Sequence, residues 1–449
     1  MSLEMPVVSR TKMSETPYRL SISPQLEPFR SETEHACDFL DACYFLKRAP
    51  EAERVLHYGP GAPAGSIAIP AKLFPSGVRT DGEGLHPVWN ALKPMAAQGG
   101  GLRPSGIALQ PGSPIDYDAL GLIFFMLSRV EERSHPGRDR YGRFPVEAAL
   151  FAPENGRLFP YADCAVHDIA VALLGHANPP LRTHYQVAFT HDVDILKGYH
   201  RPIDPLRNAA GDLLKRMQPL TALRRLRRGY LENEPYTSMR RLMALSERHN
   251  IKSRFYFMGP SDDTMDSPYV LRWPELVRKM AGEMRARGHV LGFHPCFYTF
   301  NDPVEWKRQH DGIQAVIGEP LREGRQHVLR YDAAITPRIW SDAEMTLDCT
   351  LSYPEVAGFR TGTCRPHHAY DLVTRRRLPL MQLSTAVMEF GMFGGKYRDM
   401  SIESALSDTK WAVDLCRKYG GTFTLLFHSG QNDAVLWNWL EPAIEQAAP

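Results

Sequence analysis

The sequence predicts an α/β protein: a barrel-like repeat of β-α units in the second part, preceded by a smaller α+β accessory domain. Three observations carry this reading. From Tyr236 onward, helical and strand patterns alternate regularly, and repeated β-α units imply parallel strands. Between Val55 and Pro114, glycine and proline clusters punctuate short apolar runs, the signature of short strands joined by turns. Between these regions lies Val187-Ala188-Phe189-Thr190-His191-Asp192-Val193-Asp194, an apolar lead of strand length that stops in two carboxylates one residue apart.

Composition sets the bounds. A chain of 449 residues has ample material for a large core, and its length suggests two or three domains. With 23% charged and 43% hydrophobic residues the balance is that of an ordinary globular protein, and a net charge of +2 favours no particular partner. The seven cysteines are odd in number and never spaced Cys-x-x-Cys, which fits a reducing compartment better than a disulfide framework or a zinc-thiolate site. Residues 1–30 contain no apolar leader core, and no run of about 18 apolar residues occurs. The expectation is a cytoplasmic protein without a transmembrane segment.

Taken in order, Glu34 to Lys47 has apolar residues at helical spacing, and Asp116 to Arg133 is the clearest helix of the first part, with Leu120, Ile123, Phe124, Leu127 and Val130 as its stripe. The charged loop Asp139 to Phe144 follows, and Asn178-Pro179-Pro180 marks a boundary. The predicted domains are therefore 1–180, accessory, and 181–449, carrying the β-α repeat with a basic insertion at 197–235. Nine Lys or Arg fall between Lys197 and Arg228 against only Asp204 and Asp212. This is either a solvated helical face or a flank that attracts an anion, such as a diphosphate or an acidic membrane leaflet. Nucleic acid is not expected, since no aromatic platform interleaves the charges.

The repeat then runs through a helix at Thr237–His249, a strand at Ile251–Met258, a helix at Trp273–Arg287 closed by Gly288, and a strand at His289–Phe293 entering His294. A helix at Pro303–Val316, a strand at Gln326–Tyr331, a helix from Thr336-Pro337, and strands at Thr346–Tyr353 and Leu378–Met388 follow. The helix Ser401–Tyr419 and the strand Thr422–Phe427, ending in His428, complete it. Trp437 and Trp439 either stack on a ligand or pack a terminal helix.

Side chains at i and i+2 share one strand face, so Asp192 and Asp194 are presented together. Like charges that close persist where a cation or a shared proton relieves them, which makes one a candidate metal ligand and the other a candidate proton acceptor. Two solvated aspartates at a loop start are the plain alternative. His294, Arg330 and His428 also fall at carboxyl ends of predicted strands, where active sites of parallel β/α folds gather.

This order of motifs resembles the polysaccharide deacetylases of the NodB-homology type, carbohydrate esterase family four, in the subgroup with Asp-x-Asp. The first part, with Tyr58-Gly59, Ser128-Arg129-Val130-Glu131-Glu132 and Asp139 to Phe144, resembles the extra domain that precedes a deacetylase domain in some bacterial proteins encoded with surface-polysaccharide genes. The resemblance implies a distorted (β/α)7-type barrel and a divalent metal, zinc foremost, with nickel, cobalt, iron or manganese as options. It implies Asp192 as general base, Asp194 and His294 as metal ligands, Arg330 as the partner orienting Asp192, and His428 as general acid. The substrate implied is an acetylated amino sugar, nucleotide-linked, lipid-linked or polymeric. One position departs: where the family's second metal histidine should stand, four residues after His294, this chain has Tyr298. Tyrosine is a poor zinc ligand at neutral pH, so His191 is the expected substitute, with His367, His368 or Tyr298 itself as alternatives. Tyr298 is also a candidate substrate contact. Arg360, in the loop Gly358 to Asp371, either holds an anionic group of the sugar or braces the loop. Against the deacetylase stand a non-catalytic carbohydrate binder using the same cleft and a different metal-dependent amide hydrolase.

Overall fold

The structure, a computed structural model, describes residues 14–74, 101–104, 108–197, 203–227, 234–395, 397–431 and 433–449. Most of the expected short strands between 75 and 107 and the flanks of the basic segment, at 198–202 and 228–233, lie outside the described residues. The chain forms two units that interleave along the sequence: one holds residues 1–186, 329–386 and 411–423, the other 187–328, 387–410 and 424–449. The later sequence thus returns twice to the first unit instead of forming one continuous second domain. Periodicity identifies an element as helix or strand but not the neighbour against which it packs.

In the first unit, strands Leu46–Arg48, Thr16–Ile22, Val55–Tyr58 and Ile67–Ile69 pair in that order, all parallel, with Leu20 opposite Leu56 and Leu56 opposite Ile67. Helices Arg30–Cys43, Ala119–Ser128 and Tyr161–Leu174 contribute Phe39, Leu40, Leu120, Phe124, Val166 and Ile169 to one core. The expected Glu34–Lys47 helix starts earlier and stops at Cys43, because Leu46-Lys47-Arg48 is taken up by the sheet. The expected helix over 116–133 breaks in two at Arg129, which has φ 53°. Its start is held by the buried Asp118 carboxylate, which accepts from the Gly121 N–H, the Lys72 and Leu73 N–H groups and the Tyr58 hydroxyl at 2.8–2.9 Å. One side chain thereby caps a helix and ties it to the sheet and the loop beyond it.

The break at Arg129 serves a buried ion cluster. The Arg129 guanidinium pairs with Glu131 and Glu132, and Glu132 also accepts two bonds from Arg360, at 2.9 Å from Nε and 2.6 Å from Nη2. Arg360 Nη1 donates to the Ser352 carbonyl at 2.8 Å, and the residue is only 2% exposed. Arg360 is therefore not a substrate contact: it braces the Gly358–Asp371 segment, the plainer of its two expected roles. His367 and His368 are likewise committed inside this unit, on the antiparallel pair His367–Asp371 and Arg376–Gln382. His367 packs edge-on to Phe39, and His368 Nδ1 donates to the Leu378 carbonyl at 3.0 Å.

In the second unit the strand order is Glu323–Gly324, Val290–His294, Arg254–Met258, Gln186–Val193, Thr422–Leu426, Val387–Met388. Register is parallel wherever it is defined, with Asp192 opposite Tyr256, Tyr256 opposite Gly292, and Met258 opposite His294. No pairing links Val387–Met388 back to Glu323–Gly324 among the described residues, so the hydrogen bonds run in an open order and not in a closed ring. Helices Glu234–Arg248, Pro274–Ala286 and Pro303–Ile317 lie close to the expected spans. Asp302 caps the last by accepting from the Val304 and Glu305 N–H groups, and Gly318 closes it at φ 83°. Phe255, Phe257, Phe293, Val277, Met280 and Trp306 are buried. Trp437 and Trp439 are buried too, in the terminal helix Ala434–Ala447, which answers their alternative in favour of packing.

One expected strand is displaced with consequences for the site. In place of Gln326–Tyr331, the strand is only Glu323–Gly324, followed by a 3-10 turn over His327–Leu329 in which Val328 and Leu329 both have φ 58°. Glycine permits this close pairing: a Cβ at Gly324 would lie 1.9 Å from the Phe293 carbonyl oxygen, and one at Gly292 would lie 2.4 Å from the Tyr256 ring. The arginine at the strand end is consequently Arg325, while Arg330 lies five residues further along, its guanidinium against Gly142 in the first unit.

Two outcomes follow for stability. Arg360→Ala should destabilise the protein by about 3–5 kcal/mol in chemical denaturation, the cost of leaving a buried carboxylate without its bidentate partner, with metal content of the surviving folded fraction unchanged. Burial also depresses three imidazoles of the first unit, His35 to about 3 and His167 and His367 to about 4. Folded-state values below the unfolded one mean that the unfolded chain binds more protons below pH about 6.5. Stability should therefore fall as pH drops from 6.5 to 5, by up to ~1.4 kcal/mol per pH unit for each of the fully buried His35 and His367, and by less for the half-buried His167. His35→Leu should flatten that slope in pH-dependent melting.

Candidate active site

The central strand stays regular through Val193, so alternation decides which side chains meet. Asp192 and Asp194 share a face, and His191 points the other way. His191 Nδ1 donates to the Phe427 carbonyl at 2.9 Å, its Nε2 lies 3.1 Å from Ser253 Oγ, and burial lowers its pKa to about 3. Its expected role as the substitute metal ligand is therefore not met: no twist of the strand end brings it round.

The second imidazole, beside Asp194 and His294, belongs to His327. Ligand atoms of Asp194, His294 and His327 all lie within 4.8 Å of one another, and this is the one such group of possible metal ligands among the described residues. Both imidazoles are oriented by a second hydrogen bond. His294 Nδ1 donates to the Arg325 carbonyl at 2.5 Å, and His327 Nδ1 donates to Asp266 Oδ1 at 2.7 Å. Each Nε2 is left with its lone pair available, as a metal ligand requires. Asp266 is itself fixed by the Phe297 N–H, at 3.0 and 3.2 Å from its two oxygens. The buried atoms Asp194 Oδ1 and His294 Nε2 approach to 3.3 Å yet neither has a partner of good hydrogen-bond geometry. Two acceptor atoms aimed at a shared point are the arrangement that a divalent cation satisfies, and two nitrogens with one carboxylate oxygen suit zinc with an open position left for substrate. The residues present therefore fit a metal.

Around this group stand the proton-transfer candidates. Asp192 Oδ1 accepts from Arg325 Nη1 at 2.7 Å, and Arg325 Nη2 donates to Thr190 Oγ1 at 2.9 Å. The guanidinium on Asp192 is thus Arg325, not Arg330 as expected, for the reason of strand length given above. Burial alone would raise the Asp192 pKa, but the charge of the Arg325 guanidinium, with that of His428, outweighs it and holds the group ionised. His428 Nε2 lies 3.9 Å from both Asp192 Oδ2 and Asp194 Oδ2, while its Nδ1 meets Glu389 Oε1 at 2.6 Å. Glu389 is fully buried and also accepts the His428 backbone N–H at 3.0 Å. Burial would depress the His428 pKa, yet the carboxylates of Glu389, Asp194 and Asp192 raise it to about 9, so the ring carries a proton at neutral pH. Tyr298 lies in the 3-10 turn after His294, its phenol 56% exposed and its ring edge-on to Phe297.

Exposure is graded. The side chains of Arg325, Glu389 and His294 are sealed at 0–1%, whereas those of His428, His327 and Asp194 retain 13, 14 and 27%. Solvent or a substrate reaches the cluster from that side. Sequence reasoning found Asp192, Asp194, His294 and His428 but missed Arg325, His327, Asp266 and Glu389. A signal existed for two of them: His327 falls inside Gln326–Tyr331, the segment expected to supply the arginine, and Arg325 immediately precedes it.

A family model described as a family of unknown function (DUF7033) matches residues 52–176, well under half of the chain. No curated protein matches. Among solved structures, the chain is similar to a protein described as a polysaccharide deacetylase from Mycobacterium smegmatis, with a TM-score of 0.39, 18% identity, and coverage of 59% of this chain and 84% of that one. It is also similar to a carbohydrate esterase family 4 pseudoenzyme from Bacillus anthracis, at TM-score 0.31 and 10% identity, covering 62% and 66%. A third is the catalytic domain of a peptidoglycan N-acetylglucosamine deacetylase from Eubacterium rectale, at TM-score 0.26 and 14% identity, covering 47% and 78%. At these scores none of them carries an inference about what this chain does.

The ligand assignment has a direct outcome in metal titration of the purified protein. His327→Ala and His294→Ala should each weaken zinc binding by about a hundredfold or more, and Asp266→Ala by about 10–100-fold through the loosened imidazole. His191→Ala should leave zinc affinity within a few-fold of the parent.

Proposed function

We propose that the protein is a metal-dependent deacetylase that removes an N-acetyl or related acyl group from an amino sugar during surface-polysaccharide assembly. The observation that carries the proposal is the convergence of Asp194, His294 and His327 on one point beside an Arg325-bound Asp192 and a Glu389-bound His428. The sugar substrate is favoured by the order of motifs along the sequence, and the polysaccharide setting by the motifs of the first part. Tyr298 is assigned to contact the sugar from the exposed turn after His294.

In this reading Asp194, His294 and His327 hold a divalent ion, zinc foremost. Such an ion, when bound, polarises the acyl carbonyl and makes water a stronger acid. Asp192, kept ionised by Arg325, accepts a proton from the attacking water as the new C–O bond forms. His428, protonated and held by Glu389, presents Nε2–H on the same side of the site and gives that proton to the leaving nitrogen as the C–N bond breaks. Water and amide become carboxylic acid and free amine, and the proton held on Asp192 replaces the one that His428 gave up. Two groups of opposite proton affinity, set apart by an arginine on one and a glutamate on the other, divide the acid and base work. A reading as a silent carbohydrate binder rested on Tyr298 leaving the site one imidazole short; His327 offers that imidazole from another segment.

The test is acetate release from acetylated amino sugars by the zinc-loaded protein. Asp192→Asn should retain zinc and lose activity by about 10²–10⁴-fold, the usual worth of a general base. His428→Gln should lose a similar factor. Release that persists at the parent rate in Asp192→Asn would overturn the assignment.

A further inference from the structure

The basic segment forms a helical hairpin, Asp204–Leu214 and Pro219–Leu226, that is folded inside out. Its buried positions are Pro205, Ala209, Asp212 and Ala222, none of them a large apolar side chain. Its large apolar side chains face solvent: Leu206, Leu213, Leu214, Met217, Leu220 and Leu223 are 49–79% exposed. Leu206, Leu213 and Leu214 follow at i, i+7 and i+8 and so share one helix face, as do Leu220 and Leu223 at i and i+3. Asp212 pins the two helices together, accepting from Arg225 Nε at 2.6 Å and from Arg216 in the turn between them. A single exposed leucine is ordinary, but five leucines and a methionine exposed within eighteen residues of one hairpin mark an interaction surface.

Charge identifies the occupant. Residues 203–227 contain six cations, Arg207, Lys215, Arg216, Arg224, Arg225 and Arg227, against Asp204 and Asp212. Arg207, Lys215 and Arg224 are exposed beside the leucines. A second copy of the chain would bring the same positive charge to a two-fold contact, like against like. An anionic lipid leaflet satisfies both features at once: the acyl boundary takes the leucines and Met217 while the headgroup phosphates take the arginines and lysine. No helix among the described residues is long and apolar enough to cross a membrane, so the contact is one of lying on the surface. We propose that this hairpin docks the protein on an anionic membrane surface, lying in the plane of the headgroups with its leucines inserted to the acyl boundary.

The experiment is sedimentation of the full chain with phosphatidylcholine vesicles made with and without phosphatidylglycerol, with no sugar substrate present. Binding to the anionic vesicles should exceed binding to the neutral ones at least tenfold and weaken with salt, as a polybasic contact does. The triple variant Leu214→Ser, Leu220→Ser, Leu223→Ser should bind at least tenfold more weakly. Arg207→Gln, Lys215→Gln and Arg224→Gln should each lower anionic-vesicle binding about fivefold. All six positions are exposed, so melting temperature and zinc content should match the parent. Failure of the parent to bind anionic vesicles, or undiminished binding by the serine variant, would overturn the proposal. So would self-association that the serine variant abolishes in a parent that ignores vesicles. Because vesicle binding is read without substrate, either result leaves the assigned chemistry to its own test.

Discussion

Two carboxylates one residue apart on the same strand face repel each other, and the carboxyl end of this sheet is arranged around relieving that repulsion. Asp192 is relieved by a guanidinium that is itself sealed from solvent, Asp194 by imidazole nitrogens that leave a vertex for a cation. The two aspartates thereby become different chemical groups despite identical side chains. Burial disfavours both charges, and the Arg325 guanidinium on Asp192 together with the positive charge of His428 beside both offsets it. Removing any one of those neighbours would return the cost of burial to the carboxylates.

The supporting groups are as informative as the ones they support. His294 is turned by the Arg325 carbonyl while the same residue's guanidinium holds Asp192, so one position on the short strand-end segment orients a candidate ligand and a candidate base together. Asp266 serves His327, and Glu389 serves His428. Each ring therefore has one nitrogen committed to an acceptor and the other turned into the cluster. The tight approach at Gly292 and Gly324 allows the Glu323–Gly324 strand to come close enough for Arg325 and His327 to enter the site at all. Backbone geometry, at two residues without side chains, sets the reach of two residues with the longest functional role.

The hairpin of the basic segment shows the opposite solution to charge and burial. There the acidic residue is inside and the leucines outside, an arrangement that a free aqueous surface does not favour. Its stability is local, through Asp212 and the two arginines that clamp it. The energy not recovered by burying leucine is thus available for association with another apolar phase.

Periodicity alone determined much of this protein. The β-α alternation after residue 236, the strand ending in Asp192 and Asp194, and the strand ends at His294 and His428 were all legible, since regular elements impose regular patterns on the chain. The sign of the basic segment was legible as well, though not that its leucines face outward. What the tertiary structure decided were the partners: Arg325 in place of Arg330, His327 in place of His191, and the wholly unexpected Asp266 and Glu389. Each of these lies on a turn, at a very short strand or at the start of a short helix, where no repeat exists to read. The physical reason is that a strand's length by sequence pattern carries an uncertainty of a few residues, and a shift of one residue reverses the face on which a side chain stands. Contacts between segments far apart in the chain depend on that register, and only the folded backbone fixes it.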